Sequence, residues 1–180
     1  YKRQADALEG EIRKVIDATG GSNFGLNFHM FQDNAAQCVD LAIQYRLRAV
    51  SYGRGPDKQT IARFKAAHVL CIPTVGALKH ALKAVELGAD LITVQGGEGG
   101  GHTGGVPSSI LLPQVLDAVN VPVIAAGGYA TGRGLASVLA AGGAGIAMGT
   151  RFLMTRESPT PAATLARYLK VNDPQQVRVT

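Results

Sequence analysis

The chain alternates short apolar runs with longer segments in which apolar residues recur every three or four positions. A β-branched apolar run predicts a buried strand, and the longer spacing predicts a helix with one apolar face. We predict six strands, at residues 23–28, 49–52, 69–73, 90–94, 121–126 and 145–148. Helical patterns precede, separate and follow them, at residues 4–18, 35–46, 58–67, 77–87, 113–119, 132–141 and 161–169. This alternation is typical of a parallel α/β sheet or barrel.

The spacing of the strands favours a TIM (β/α)8 barrel over an open sheet. Successive strands lie about 20–30 residues apart, and a complete barrel has eight units and typically ~250 residues. The chain has 180 residues and opens at Tyr1 inside a helical pattern. We therefore expect a single α/β domain over residues 1–180, an incomplete TIM barrel with about six of its eight units, truncated at both ends.

Composition and charge narrow the class of partner. The chain is 46% hydrophobic and 17% charged, which is typical of a soluble globular protein. Its net charge of +5 is not concentrated in any block of Lys and Arg, so we expect mild attraction for anionic small molecules and no nucleic-acid partner. No apolar run reaches the ~18 residues expected of a membrane span. Cys38 and Cys71 lack metal-ligand or CxxC spacing, which predicts buried free thiols, a reducing cytoplasmic location and no metal site.

Residues 96–105 carry the strongest chemical signal. Seven of these ten residues are glycine, His102 lies among them, and they follow an apolar strand that ends in Gln95. Glycine is costly to order and suits places where backbone approaches a ligand closely or takes a positive φ. Histidine is the side chain best suited to proton transfer near neutral pH. A flexible linker with an incidental histidine is the alternative.

Other distinctive residues follow predicted strands, where a parallel barrel carries its active site. Asn27 and Gln95 are amides that end apolar strands, and an amide can read a ring edge that carries N–H and C=O groups, as a flavin does. The glycine turns at residues 127–128 and 148–151 would follow strands seven and eight of a complete barrel, where backbone N–H groups often hold a phosphate. For the two amides, the alternative is that they only close turns. For the two glycine turns, the alternative is a tight turn that binds no ligand.

Taken together, these segments resemble the nitronate monooxygenase family of FMN-dependent barrels, whose relatives include the flavin-dependent type II enoyl-acyl-carrier-protein reductase. The resemblance runs over nearly all of the chain. It rests on Phe-Gly-Leu-Asn at residues 24–27, on residues 88–90, 94–96 and 98–104, on the strand and turn at 122–128, and on Met-Gly-Thr-Arg-Phe at 148–152. The last two pieces also recur in other phosphate-binding barrels.

The resemblance implies a role for individual residues. It implies FMN contacts from Asn27, Gln95, Gly100, Gly128, Ala147, Met148, Gly149 and Thr150. It makes His102 the catalytic base or proton donor. Gly97 and Gly99 stand where relatives often carry a bulky apolar residue and an alanine, so we expect a wider mouth over the flavin that favours a bulky substrate.

The resemblance also implies the reaction class, an FMN-dependent oxidoreductase that oxidises nitronates or nitroalkanes with O₂. The alternative within the family is an NAD(P)H-dependent flavin reductase that acts on a CoA or acyl-carrier thioester. A non-redox phosphate-binding barrel is the alternative of another class, and a non-catalytic ligand-binding remnant is a third. The expected partners are small molecules, with a homodimer as one candidate assembly.

Overall fold

A computed structural model describes residues 2–53, 55, 57–101 and 104–176 of the protein. Helices and strands alternate along this part of the chain as the hydrophobic pattern predicts. The strands are β1 (Gly25–His29), β2 (Ala49–Gly53), β3 (Leu70–Val75), β4 (Ile92–Gln95), β5 (Val123–Ala126) and β6 (Gly145–Ala147). The helices are α1 (Lys2–Thr19), α2 (Ala35–Gln44), α3 (Lys58–Ala66), α4 (Leu78–Glu86), α5 (Ser108–Leu116), α6 (Gly132–Ala140), α7 (Thr150–Leu153) and α8 (Ala162–Leu169), followed by a 3₁₀ turn (Pro174–Gln176).

The strands form a six-stranded sheet in the order β1-β2-β3-β4-β5-β6. The pairs β1–β2, β2–β3 and β5–β6 are parallel, with Asn27 opposite Ser51 and Ile124 opposite Gly145. Parallel neighbours that are consecutive in the chain require a crossover, and a helix lies between each strand and the next. The fold is therefore α/β, as predicted, and its six β/α units are those of an incomplete TIM barrel.

By its internal contacts the chain divides into two compact units. The first comprises Tyr1–Thr74 and Leu82–Ile92, and the second comprises Val75–Ala81 and Thr93–Thr180. The expectation of a single domain over residues 1–180 stays a prediction.

The core of the first unit lies between its strands and the apolar faces of α1, α2 and α3. Burial alternates along β2, where Val50 and Tyr52 are buried, and β3 buries Cys71 on the same pattern. Phe64 of α3 is fully buried against this cluster. Asp57 begins α3, because its carboxylate accepts a hydrogen bond from the backbone N–H of Thr60 at 2.7 Å.

The core of the second unit lies against β5. Val123, Ala125 and Ala126 of this strand are buried, as are Leu111 and Val115 of α5. Helix α6 buries Val138, whereas α7 and α8 bury none of their described residues. The strand β6 is half-buried to exposed along its length.

In the second unit one predicted helix start is wrong and one short helix was not predicted. Helix α5 begins at Ser108 rather than at residue 113, and Pro113 lies inside it. The prediction took Pro113 as the first helical residue, the position that proline favours, but Pro107 occupies the N-cap. The short helix α7, directly after Gly149, was not predicted, because four residues are too few to show a hydrophobic period.

Two features are absent from the described part of the chain. None of the helices described is both long and apolar enough to cross a membrane. No group of three or more His, Cys, Asp or Glu side chains that could hold a metal ion lies within those residues.

Candidate active site

The glycine loop after β4 is packed through contacts that only glycine allows. Gly96 donates its backbone N–H to the carbonyl of Ala126 at 3.2 Å, and a Cβ on Gly96 would overlap the Ser108 hydroxyl. Gly127 takes a φ of +94°, and a Cβ there would lie 2.9 Å from the backbone N of Gly99. The loop after β4 and the turn after β5 therefore lie close together here, with no room for a side chain at Gly96 or Gly127.

The loop also closes on its own far end. Gly97 donates its N–H to the carbonyl of Val106 at 2.8 Å. A Cβ on Gly97 would lie 3.2 Å from the carbonyl oxygen of Gly104, and a Cβ on Gly104 would lie 2.5 Å from that of Gly76. These contacts make Gly97 and Gly104 packing glycines.

The side chain of Gln95 lies over the loop. Its Nε2 donates to the carbonyl of Gly100 at 3.0 Å, and a Cβ on Gly99 would lie 2.5 Å from that Nε2. The missing side chain at Gly99 thus makes room for Gln95. This corrects the expectation that Gly97 and Gly99 widen a mouth, because the space beside each of them is occupied by the protein itself.

Glu98 holds the loop to the start of α5. The backbone N–H of Ser108 donates to both carboxylate oxygens of Glu98, at 3.1 and 3.0 Å, and the Ser108 hydroxyl donates to one of them at 2.9 Å. Burial acts to raise the pKa of Glu98, but the hydrogen bonds from Ser108 outweigh it and lower that pKa below its ordinary value. The carboxylate also carries negative charge at the N-terminus of a helix, where the backbone dipoles favour it.

The turn after β5 lies beside this carboxylate. Gly128 is exposed and takes a φ of +75°, and a Cβ there would lie 3.3 Å from the Cβ of Glu98. Burial raises the pKa of Tyr129, and the negative charge of Glu98 raises it further. Tyr129 therefore stays protonated near neutral pH.

Two predicted cofactor contacts are glycines with open space around them. Nothing lies within 4 Å of a Cβ built on Gly100 or on Gly149, and neither residue has a positive φ. Both are exposed, as are Ala147 and Thr150, whereas Met148 is half-buried. At the packing glycines, protein atoms leave no room for a side chain. At Gly100 and Gly149, no protein atom excludes one.

Asn27 belongs to the first unit and lies in the middle of β1 rather than at its end, because β1 runs on to His29. Its Nδ2 donates to the hydroxyl of Ser51 at 2.5 Å. Further along the strand, the rings of His29 and Phe31 stack with their centroids 5.1 Å apart. A Cβ on Gly53 would lie 2.8 Å from His29 Nδ1, so His29 packs over the end of β2.

The sequence of this chain matches the model of one protein family. The model described as nitronate monooxygenase matches residues 5–179. The chain belongs to the nitronate monooxygenase family. The resemblance predicted from the glycine motifs is thereby confirmed.

Individual relatives extend this assignment. The (3aS,4S,5R,7aS)-5-hydroxy-7a-methyl-1-oxo-octahydro-1H-indene-4-carboxyl-CoA dehydrogenase of Rhodococcus jostii (strain RHA1) is 50% identical over 162 residues, which are 90% of this chain and 46% of that relative. FabK from Thermotoga maritima is similar in structure, with a TM-score of 0.88 and 33% identity over 93% of this chain and 53% of FabK. Nitroalkane oxidase from Streptomyces ansochromogenes gives a TM-score of 0.87 at 30% identity over 93% of this chain and 60% of that structure. The chain spans about half the length of the curated relatives it matches.

The residue that the family resemblance makes the proton-transfer group, His102, lies outside the described residues, as does Thr103. The roles predicted for the other site residues of this family member stay predictions. Sequence reasoning missed the contact between Glu98 and Ser108. No local sequence pattern predicts it, because the two residues are ten positions apart. Glu98 lies in a loop, and Ser108 begins a helix whose predicted start was wrong.

Proposed function

We propose that this chain is part of an FMN-dependent oxidoreductase. The observation that carries the proposal is the open backbone at Gly100 and Gly149. A side chain is missing at each although no protein atom fills its place, and close approach of a ligand to bare backbone is a physical reason for that. Gly10 in α1 also has open space at its Cβ position, whereas Gly100 and Gly149 lie in the loops that the family resemblance assigns to FMN.

The residues fit the two ends of FMN. Gly128, Gly149 and Thr150 are exposed residues, and their backbone N–H groups would hold the phosphate. The amide of Gln95 would face the ring edge. Gln95 uses one N–H on Gly100, which leaves a second N–H and a carbonyl oxygen on the same amide. When bound, FMN would supply the two-electron redox chemistry of the reaction.

A coenzyme A thioester is the substrate class that we place first. The relative at 50% identity is named as a dehydrogenase of a carboxyl-CoA compound. The chain's net charge of +5 suits the anionic phosphates of coenzyme A. His102 would hold or donate the proton that accompanies the redox step, since histidine titrates near neutral pH. NAD(P)H is the proposed co-substrate for reaction in the reducing direction.

Nitronate oxidation with O₂ is the second candidate. The family model carries this activity in its description, and a solved nitroalkane oxidase matches the chain at 30% identity. The two candidates share the fold and the FMN site and differ in the organic substrate and in the second redox partner.

The first test is the colour of the purified full-length protein. We expect it to be yellow, with a flavin absorption spectrum and FMN released on denaturation. A colourless protein that takes up no added FMN would overturn the proposal and favour a non-redox phosphate-binding barrel.

The second test separates the substrates. Under anaerobic conditions the flavin spectrum is followed after adding an acyl-CoA thioester, NADH or NADPH, or propionate 3-nitronate. Bleaching by the thioester, or reoxidation of the NAD(P)H-reduced protein by an enoyl thioester, supports the first candidate. Bleaching by the nitronate alone, with turnover in O₂, replaces it with the second.

A further inference from the structure

The contact between Glu98 and Ser108 gives the glycine loop a fixed anchor. Three hydrogen bonds join the carboxylate to one residue, at 3.1, 3.0 and 2.9 Å, and Ser108 is buried. Hydrogen bonds to an ionised acceptor are stronger than neutral ones. Among the described residues Glu98 takes part in no ion pair. Its carboxylate is thus committed to the start of α5.

Neighbouring contacts show that the loop depends on this anchor. A Cβ on Gly96 would lie 2.5 Å from the Ser108 backbone N and 2.7 Å from Glu98 Oε2. A Cβ on Gly128 would come within 3.3 Å of the Glu98 Cβ. The Glu98 side chain therefore lies where the loop, the start of α5 and the turn after β5 come together, and its removal would leave space between all three.

We infer that Glu98 is a positioning residue, which fixes the glycine loop against α5 and the turn at residues 127–128, and that it is not the group that exchanges a proton with substrate. The inference deepens the proposed function and rests on it where FMN is concerned. Both oxygens of the Glu98 carboxylate accept hydrogen bonds from Ser108, so the side chain acts there as an acceptor.

The test compares two substitutions at Glu98 with a matched surface control. Glu98→Ala removes the carboxylate. Glu98→Gln keeps an oxygen that can accept from the Ser108 N–H, and the Ser108 hydroxyl can turn to accept from the new amide. Ser108→Ala removes the hydroxyl contact and leaves the backbone N–H in place. The control is Glu86→Ala, which removes an exposed carboxylate paired with Lys83 at 2.9 Å.

The first readout is hydrogen exchange in the flavin-free protein, in peptides that cover residues 95–107. Glu98→Ala should speed exchange of the Gly97 and Gly99 amides about tenfold or more, the effect of losing charged hydrogen bonds. Glu98→Gln and Ser108→Ala should give smaller increases, and Glu86→Ala none. Equal exchange in all four variants would overturn the inference. If Glu98→Ala does not fold, the graded response of Glu98→Gln and Ser108→Ala still decides it.

The second readout is FMN affinity and turnover of the full-length protein. Glu98→Ala should weaken FMN binding about tenfold or more, with Glu98→Gln restoring most of it. A Glu98→Gln variant with wild-type exchange and FMN affinity but lost turnover would assign Glu98 a chemical role and overturn the inference. Changed exchange in a protein that binds no flavin would instead overturn the proposed function and leave the anchor standing.

Discussion

Two kinds of glycine share the loops of the second unit. Gly96, Gly99 and Gly127 are crowded by protein atoms, and a side chain on any of them would meet backbone or a fixed side chain. Gly100 and Gly149 face open space. The sequence does not distinguish the two kinds, because the residue is glycine in both cases. The distinction decides which substitution reports on a ligand and which reports on the fold.

Gly149→Ala tests the proposed phosphate site. The new Cβ meets no protein atom within 4 Å, and the φ of −92° is accessible to alanine, so the fold should tolerate it. If a phosphate lies against this backbone, the methyl group should crowd it and weaken FMN binding about tenfold or more, the cost of a steric misfit of ~1–3 kcal/mol. Titration of the apoprotein with FMN, followed by flavin fluorescence, measures the change.

The matched control for that measurement is Gly10→Ala. Its Cβ also meets nothing within 4 Å, but it lies inside α1. It should leave FMN affinity unchanged and raise stability by about 0.5–1 kcal/mol, since alanine favours a helix over glycine. Equal FMN affinity in both variants would remove Gly149 from the cofactor site. Gly128→Val is a poorer probe, because a φ of +75° strains any β-branched residue whether or not a ligand is present.

Gly99→Ala should disturb the loop through Gln95. The added Cβ would lie 2.5 Å from Gln95 Nε2 and 2.8 Å from its Cγ, so the amide must leave Gly100. We expect a loss of about 1–3 kcal/mol in the free energy of unfolding, the range for overpacking. In a Gln95→Ala background the same change should cost less, because the clashing atoms are gone. Additive losses in this double-mutant cycle, measured by denaturant titration, would show that the two side chains do not compete for space.

His102→Ala tests the proton-transfer role that the family resemblance implies. A general acid or base contributes ~10²–10⁴-fold to a rate. We expect turnover with the organic substrate to fall on the order of 10²-fold or more, while FMN stays bound and reduction by NAD(P)H keeps its wild-type rate. Stopped-flow traces of the two half-reactions separate these effects. His80→Ala, an exposed position on α4, is the control, and wild-type rates in both half-reactions of the His102 variant would make His102 a bystander.

At the scale of elements, periodic segments could be predicted from the sequence and nonlocal boundaries could not. All six strands lie where the apolar runs predict them, with ends that differ by at most two residues. The start of α5 was missed because Glu98, ten residues upstream, stabilises it across space. Asn27 was placed at a strand end because the apolar run stops near it, whereas pairing with β2 carries β1 on to His29.

A single carboxylate ties β3 to α3 in the first unit, and its loss should be costly. Asp90 accepts from the buried backbone N–H of Cys71 at 2.8 Å and pairs with Lys65. Asp90→Ala leaves that N–H without its acceptor, which should lower the free energy of unfolding by about 1–3 kcal/mol. Asp90→Asn keeps an acceptor oxygen and should cost less.

The control for Asp90 is Asp40→Ala. Asp40 pairs with Arg63 at 2.7 Å, but both side chains are about half exposed or more, at 64% and 49%. Pairs of this kind contribute at most about 1 kcal/mol. If chemical denaturation gives the two alanine variants equal losses, the hydrogen bond to Cys71 is not what makes Asp90 matter.

At the scale of the whole molecule, the fold class and the family followed from the order of strands, helices and glycine turns. The direction in which each polar side chain points did not follow. The hydrogen bond from Gln95 to Gly100 and the contact of Glu98 with Ser108 were not predicted. Such choices depend on hydrogen bonds between segments that are distant in sequence, and a pattern of residue types does not encode them.

The two cysteines can be used to measure the unfolding of the first unit. Both are free and buried, as predicted, with Cys38 in α2 at 3% exposure and Cys71 in β3 at none. Burial raises the pKa of both thiols, and for Cys71 the charge of Asp90 raises it further. The thiolate is the reactive form, so burial and the raised pKa both suppress alkylation of the native protein.

We therefore expect neither cysteine to react with iodoacetamide at pH 8 until the unit opens. Because Cys38 and Cys71 pack in one cluster, a cooperative opening should expose them together. Pulse labelling along a urea series, read by mass spectrometry of the two peptides, should give the same midpoint for both. Phe64→Ala leaves a cavity at a fully buried site in this cluster and should lower the free energy of unfolding by about 3–5 kcal/mol. Both labelling midpoints should therefore shift to lower urea by the same amount. Labelling of Cys38 at lower urea than Cys71 would mean that α2 detaches from the strands on its own, and the first unit would then be two cooperative pieces.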